Sequence, residues 1–221
     1  MTTATVINGL STQGIQDMVE MVKAQPQVAQ AVFSATTEWK GGFHNEATVQ
    51  AFSLGGARNE ASRQQPFRIA GDHPAELLGP NRGPASVELL LGALGHCLAS
   101  GWATYGAVMG VPVDALRVEV EGDIDLQGML ALPQPGEVPP GFQSIRARYF
   151  VRSGAPREQL EQVAKMAEDL DETFHRRTSR SARGRWRCAA RPAPPGRPRR
   201  PRRPGRNPPR RGRCSARASS A

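Results

Sequence analysis

Two amphipathic helices are predicted within the first 175 residues. One covers residues 14–24, where Ile15, Met18, Val19 and Val22 share a face. Ser11 or Thr12 can cap its N-terminus, and Pro26 ends it. The other covers residues 156–174, with Pro156 in its first turn. Its apolar positions predict an inward face that consists of Leu160, Val163, Ala164, Ala167 and Leu170.

Period-two alternation and turn residues predict five strands, which cover residues 28–39, 46–54, 66–69, 115–125 and 144–151. The first two are expected to pair as a hairpin around Lys40, Gly41 and Gly42. The fourth alternates apolar with charged side chains, which is typical of a half-buried strand. The fifth places Ala147 and Tyr149 on one face. Gly- and Pro-rich stretches between these elements are predicted to be loops.

The most apolar stretch, residues 87–109, is predicted to be a long helix capped by Ser86 and Gly110. Large apolar residues cover most of its surface, so we expect it to be buried on nearly all sides. Its length would also span a bilayer, which needs ~20 apolar residues. Because Glu88 and His96 interrupt the stretch, a core helix is favoured over a membrane span.

Strands, a long helix, two more strands and an amphipathic helix in this order indicate an α+β fold. We expect an N-terminal helical extension over residues 1–27, a main domain over residues 28–177 and a tail over residues 178–221. The N-terminus has no basic stretch followed by an apolar run, so no signal peptide is predicted.

The charge of the chain is divided unevenly. Of 29 Lys and Arg residues, 17 are arginines within residues 176–221, a stretch without any acidic residue. The remaining 12 basic residues face all 20 acidic residues, so residues 1–175 carry a net charge of −8. The Arg/Pro-rich tail is therefore predicted to be disordered, because it cannot bury enough apolar surface to fold. An arginine-rich tail could bind phosphates without sequence choice, but the acidic main domain makes a nucleic-acid-binding protein the less favoured interpretation.

Of three cysteines, Cys97, Cys188 and Cys214, only Cys97 lies outside the tail, so the main domain has no internal disulfide. Along the long helix, Cys97 shares a face with small residues that include Ala93, Ser100 and Gly101. A glycine inside a helix costs roughly 1 kcal/mol relative to alanine, so another backbone or a ligand is expected to approach this face. Position alone favours an inert buried thiol, since a reactive one needs a nearby cation.

The ordered stretches LLGPNRGPASVELLLGALGHCLAS, LRVEVEGDIDLQG and GFQSIRARYFVRSGAPREQLEQVAKMAE resemble the OsmC/Ohr family over about residues 30–175. The family pattern is a Gly-Pro loop, a Glu-Leu-Leu helix start and a cysteine in a long central helix. The resemblance implies that residues 28–177 form an OsmC-like domain of α+β fold, with an antiparallel sheet and a central buried helix, in an intertwined homodimer. It also implies a cytoplasmic peroxidase that reduces organic hydroperoxides through Cys97, the peroxidatic cysteine, and an external thiol or dithiol, without a bound cofactor or metal.

The family also has an arginine that holds the thiolate and a glutamate that holds this arginine. Glu88 is the candidate glutamate, but at ~100° per residue it lies on the opposite helix face from Cys97, so an acid placed at a helix N-terminus is preferred. Arg63 and Arg82 are guesses for the arginine. His96 is expected to be a packed or hydrogen-bonded core histidine rather than a catalytic base.

The C-terminus departs from the family, which continues with a Ser-Pro or Cys-Pro turn, a short helix, a final strand and a resolving cysteine. We hypothesise a frameshift near Ser179, where one restored C in a GC-rich gene would give Thr-Ser-Pro-Val. Resequencing the gene there tests this hypothesis. Cys188 and Cys214 are not expected to resolve the oxidised thiol. Because the partners of Cys97 are not evident, a catalytically silent OsmC-like scaffold is the remaining alternative.

Overall fold

The computed structural model describes residues 5–132 and 137–171, together with the backbone of residues 185–189 and 213–220. The chain divides into two compact units, one with residues 1–5 and 11–93 and the other with residues 6–10 and 94–221. Antiparallel sheets and helices make up both, so the predicted α+β class is confirmed. Within the described residues, no helix is long and apolar enough to cross a membrane.

The first unit contains a helix and two small antiparallel sheets. Its elements are α1 (Thr12–Ala24), β3 (Ala31–Phe33), β4 (Thr36–Gly41), β5 (His44–Val49), β6 (Phe52–Leu54), β7 (Ala57–Asn59) and β8 (Phe67–Gly71). The hairpin of β1 (Val6–Ile7) and β2 (Leu10–Ser11) at the N-terminus belongs to the second unit, apart from Ser11. The strand orders are β3-β6-β7 and β4-β5-β8. The predicted cap is confirmed, because the Ser11 hydroxyl accepts the Gly14 N–H at the start of α1.

The structure corrects the predicted strands of this unit. Residues 28–39 are not one strand, because Pro26–Ala29 form a 3₁₀ turn and the extended conformation is interrupted between β3 and β4. The predicted loop after β6 contains β7, which the sequence analysis missed. Gly55 and Gly56, with φ of 56° and 80°, form the two-residue turn that joins β6 to β7.

The long helix α2 (Ser86–Val108) begins in the first unit and continues into the second. Ala85 rather than Ser86 is its N-cap, since the Ala85 carbonyl accepts the first helical N–H, from Leu89. Gly110 ends the helix as predicted, with a φ of 69°. The Val111 N–H donates to the Gly106 carbonyl and the Gly110 N–H to the Ala107 carbonyl, which is the Schellman pattern.

The second unit packs helices against one antiparallel sheet. Its further elements are β9 (Ala115–Ile124), α3 (Leu126–Met129), β10 (Phe142–Arg152), α4 (Arg157–Asp169), β11 (Arg185–Ala189) and β12 (Arg213–Ser220), and the strand order is β11-β12-β10-β9. The buried core joins α2, β10 and α4 and consists of Leu94, Leu98, Trp102, Val111, Ala147, Tyr149, Leu160, Val163, Ala164 and Ala167. This core confirms the predicted inward faces of β10 and α4, apart from Leu170, which is 58% exposed because α4 ends at Asp169.

The C-terminal tail differs from the expectation in two places. The backbone of β12 pairs with β10, and β11 pairs with β12, so within the tail these two stretches are strands. The other tail residues lie outside the described residues, and their disorder stays a prediction. One edge of β10 is covered by β12.

Candidate active site around Cys97

Cys97 lies in the middle of α2, directly before the buried residue Leu98. Its side chain is half-buried. Leu94, Leu98 and Trp102 follow one another at intervals of four residues and form the buried stripe of the helix. Cys97 is therefore at the margin of this stripe rather than inside the core, where a thiol remains within reach of small molecules.

The face of α2 opposite its buried stripe is open in the single chain. Glu88, Gly92, Ala93, His96 and Ser100 are all exposed. The expectation that the helix is buried on nearly all sides is therefore wrong, because among the described residues this face has no cover along most of the helix. The expectation of a packed His96 is wrong for the same reason.

The small residues beside Cys97 allow a second helix to approach closely. A Cβ built on Gly101 would lie 3.1 Å from the Cβ of Ala167 and 3.3 Å from its Cα. Gly101 is therefore needed for the contact between α2 and α4, as the glycine pattern predicted. A Cβ built on Gly92, by contrast, would have no neighbouring atom within 4 Å, so packing does not explain that glycine.

Glu88 caps the helix on which Cys97 lies. Its carboxylate Oε2 accepts the Ala85 N–H at 2.8 Å, which is half of a capping box. This contact satisfies one of the four N–H groups that a helix start leaves without a partner. The preferred interpretation of Glu88 as an acid at a helix N-terminus agrees with this geometry, and its catalytic role stays a prediction.

The two candidate arginines have different surroundings within the first unit. The Arg63 guanidinium lies 5.1 Å from the ring centre of Phe52 and 5.5 Å from that of Phe67, and its Nη1 donates to the Gln50 carbonyl at 3.0 Å. Arg82 is exposed, and its backbone N–H donates to Asp72 Oδ2 at 3.1 Å. Both catalytic assignments stay predictions.

Asp72 is a buried carboxylate that the sequence analysis did not single out. Its side chain is 2% exposed, and its Oδ1 accepts the His73 N–H at 2.8 Å. Burial acts to raise its pKa, but the two N–H donors, from His73 and Arg82, and the charges of His44 and Arg82 together lower the pKa below its ordinary value. An aspartate between a strand end and a Pro/Gly-rich loop is the signal that could have identified it.

Possible metal ligands do not cluster in the part of the chain that the structure describes. Within residues 5–132 and 137–171, no three His, Cys, Asp or Glu side chains are placed to hold a metal ion.

A family model described as OsmC-like protein matches residues 79–170. This segment includes Cys97, the whole of α2, both long strands of the second unit and α4. Residues 79–170 are therefore similar to OsmC-like proteins. The resemblance of these residues to OsmC proteins is thereby confirmed.

Solved structures with some similarity to this chain come from several bacteria, at low identity. An organic hydroperoxide resistance protein OsmC from Legionella pneumophila is 12% identical, with a TM-score of 0.46, over 66% of this chain and 90% of that one. An OsmC like protein from Mycoplasma pneumoniae is 12% identical, with a TM-score of 0.48, over 65% and 85%. The organic hydroperoxide resistance protein OhrB of Bacillus subtilis is 15% identical, with a TM-score of 0.40, over 66% and 93%. No curated protein matches the sequence.

Proposed function

We propose that this protein is a thiol-dependent peroxidase that reduces organic hydroperoxides through Cys97. The position of this half-buried cysteine on the central helix of an OsmC-like domain carries the proposal. The OsmC/Ohr pattern places its peroxidatic cysteine on that helix. No bound cofactor or metal is required, because the thiolate supplies both electrons.

The reaction begins with attack of the Cys97 thiolate on the outer oxygen of the hydroperoxide. The S–O bond forms as the O–O bond breaks, the alkoxide takes a proton and leaves as an alcohol, and the sulfur becomes a sulfenic acid. A first external thiol then forms a mixed disulfide and releases water. A second thiol releases the reduced cysteine and carries away the disulfide.

An external thiol or dithiol is the reductant of this proposal because Cys97 is the only cysteine outside the tail. A dithiol suits this role well, since its second thiol attacks the mixed disulfide within the same molecule. We place the reaction in the cytoplasm, where such thiols are kept reduced.

A thiol becomes a reactive thiolate near neutral pH when a nearby cation lowers its pKa. Of the two candidates, Arg82 is the better one, because the Arg63 guanidinium is already held by two aromatic rings and the Gln50 carbonyl. We propose Arg82 as this residue. Glu88 is proposed to support α2 by capping rather than to take part in the reaction.

We further propose that the protein acts as a homodimer. The first unit has three buried residues among those described, Asp72, Gly79 and Ala85, and therefore no apolar core of its own. It exposes Phe33, Trp39 and Phe67, with Trp39 73% exposed. Exposed apolar surface of this extent supports a subunit contact.

The test is peroxidase activity of the purified full-length chain. Cumene hydroperoxide with a dithiol should be consumed catalytically, and Cys97→Ser should abolish the consumption. Cys188→Ser and Cys214→Ser are the matched controls and should retain activity. Unchanged turnover in the Cys97→Ser variant would contradict the proposal.

A further inference from the structure

The strand pairing of β11 with β12 places the two cysteines of the tail directly opposite each other. Cys188 of β11 is the register partner of Cys214 of β12. The same antiparallel register holds from Arg185 to Ala189, so the cysteine pair lies within a regular ladder. The two cysteines are far apart in the sequence, and the backbone pairing is what brings them together.

The geometry of such a pair is compatible with a disulfide. Directly opposite residues of an antiparallel pair have Cα atoms about 4.5 Å or 5.5 Å apart and Cβ atoms about 4.5–5.5 Å apart. A disulfide needs a Cα separation of about 4.4–6.8 Å and a Cβ separation of about 3.5–4.5 Å. The Cα atoms therefore need no displacement, and the Cβ atoms have to approach each other slightly. A disulfide that needs such an adjustment is more easily reduced, so we expect one that opens and closes.

The position of this pair connects it to the sheet of the second unit. The backbone of β12 pairs with β10 and covers one edge of that strand. A bond between Cys188 and Cys214 joins β11 to β12 covalently and restricts the unfolded conformations of the segment between them. Oxidation therefore favours the state in which both strands stay on the sheet.

We propose that Cys188 and Cys214 form a reversible disulfide that stabilises the β12 edge of the sheet under oxidising conditions. The oxidant is a small disulfide of the glutathione type. One cysteine thiolate attacks it, forms a mixed disulfide and releases the first small thiolate; the other cysteine then attacks the mixed disulfide and releases the second. Two electrons pass from the cysteines to the small disulfide, and the two cysteine protons go to the released thiolates. The reaction is independent of the chemistry at Cys97.

The charge of the tail favours this class of oxidant. Residues 176–221 contain 17 arginines and no acidic residue. A stretch of this charge attracts an anionic disulfide such as oxidised glutathione and raises its local concentration. In a compartment rich in small thiols the pair stays reduced, and it closes when the oxidised fraction of those thiols rises.

Thiol counting in the full-length Cys97→Ser variant tests the proposal, because the tail cysteines are then the only thiols. The protein is equilibrated with oxidised glutathione, alkylated with iodoacetamide and analysed by mass spectrometry. Oxidation should leave no thiol to alkylate and should link Cys188 to Cys214 within one chain, and dithiothreitol should restore both thiols. Persisting free thiols, stable glutathione adducts or a disulfide between two chains would overturn the proposal.

A shift by one residue gives the matched control. Cys214→Ser combined with Ser215→Cys moves the cysteine to the opposite face of β12, because successive strand residues alternate between faces. Closing this shifted pair should need a ratio of oxidised to reduced glutathione that is at least about tenfold higher. Without the strand pairing, both pairs would close equally, since their loops differ by one residue. Equal closure therefore contradicts the assignment.

Thermal unfolding tests the connection to the sheet. The oxidised Cys97→Ser protein should unfold at a temperature at least about 3 °C above that of the reduced protein. A variant that also carries Cys188→Ser should show the same unfolding temperature under both conditions. If oxidation of the intact pair leaves the unfolding temperature unchanged, the disulfide does not stabilise this edge and the proposal is wrong.

Discussion

At the residue scale, two glycines of α2 that look alike in the sequence have different roles. An added methyl group on Gly92 meets no atom within 4 Å, whereas on Gly101 it presses against Ala167. Gly92→Ala should therefore stabilise the protein by about 0.5–1 kcal/mol through helix propensity. Gly101→Ala should be less stable than Gly92→Ala by about 1 kcal/mol or more, because overpacking offsets the same gain. Chemical denaturation measures both, and equal stabilisation would show that the contact between α2 and α4 is not tight.

Glu168 on α4 links the stability of the protein to pH. Burial raises its pKa to about 7, the Tyr149 hydroxyl opposes this effect through a hydrogen bond, and the charge of Asp169 adds to it. Tyr149 is fully buried, and the same surroundings raise its pKa as well. Between an ordinary pKa of 4.5 and the folded value of about 7, the folded state binds more protons than the unfolded state.

Stability is therefore expected to fall as the pH rises from 5 to 7.5, by at most about 3 kcal/mol from this one group. Glu168→Gln should remove this part of the pH dependence. Glu158→Gln, at an exposed position in the first turn of the same helix, is the control and should leave it in place. Denaturation curves across this pH range provide the measurement, and identical slopes in the two variants would refute the assignment.

At the element scale, the start of α2 depends on one carboxylate. Glu88→Ala should lower the free energy of unfolding by about 1 kcal/mol, because the Ala85 N–H loses its acceptor. Glu88→Gln should lose less, since its amide oxygen can accept the same hydrogen bond. Thermal unfolding of the two variants gives the comparison. Equal losses would mean that the charge near the helix dipole, rather than the cap, stabilises this end.

Hydrophobic periodicity predicted the elements of the second unit that pack a regular apolar face against its core. The alternation of β9, the inward face of α4 and the Gly110 cap of α2 all follow from local rules, and the structure contains them. The first unit was harder to predict because its strands are short and lack a buried apolar face, so alternation does not mark their ends. The Gly55-Gly56 pair indicates a two-residue hairpin turn and could have predicted β7. The Gly-, Asn- and Arg-rich composition of this stretch led instead to the prediction of a loop.

At the scale of the whole molecule, the burial of α2 was predicted wrongly from its apolar composition. An apolar helix was expected to be buried on nearly all sides, but burial depends on which elements the fold packs against it, and among the described residues Gly92, His96 and Ser100 stay exposed. The position of Cys97 at the edge of that stripe could not be read from its neighbours in sequence. Asp72 was missed for a related reason, since the backbone N–H groups that hold it belong to a loop whose path only the fold defines.

The sheet of the second unit depends on the C-terminus, because β12 covers the edge of β10. A chain ending at Arg177 loses β12 and exposes the hydrogen-bonding groups of β10, so it should be less stable and should aggregate.

Truncation also removes 15 arginines, which changes the net charge. Ala218→Pro keeps the charge but removes an N–H from the strand that pairs with Ala147, and it should act in the same direction. Light scattering and thermal unfolding measure both effects. If only the truncated chain aggregates, the lost charge and not the open edge is responsible.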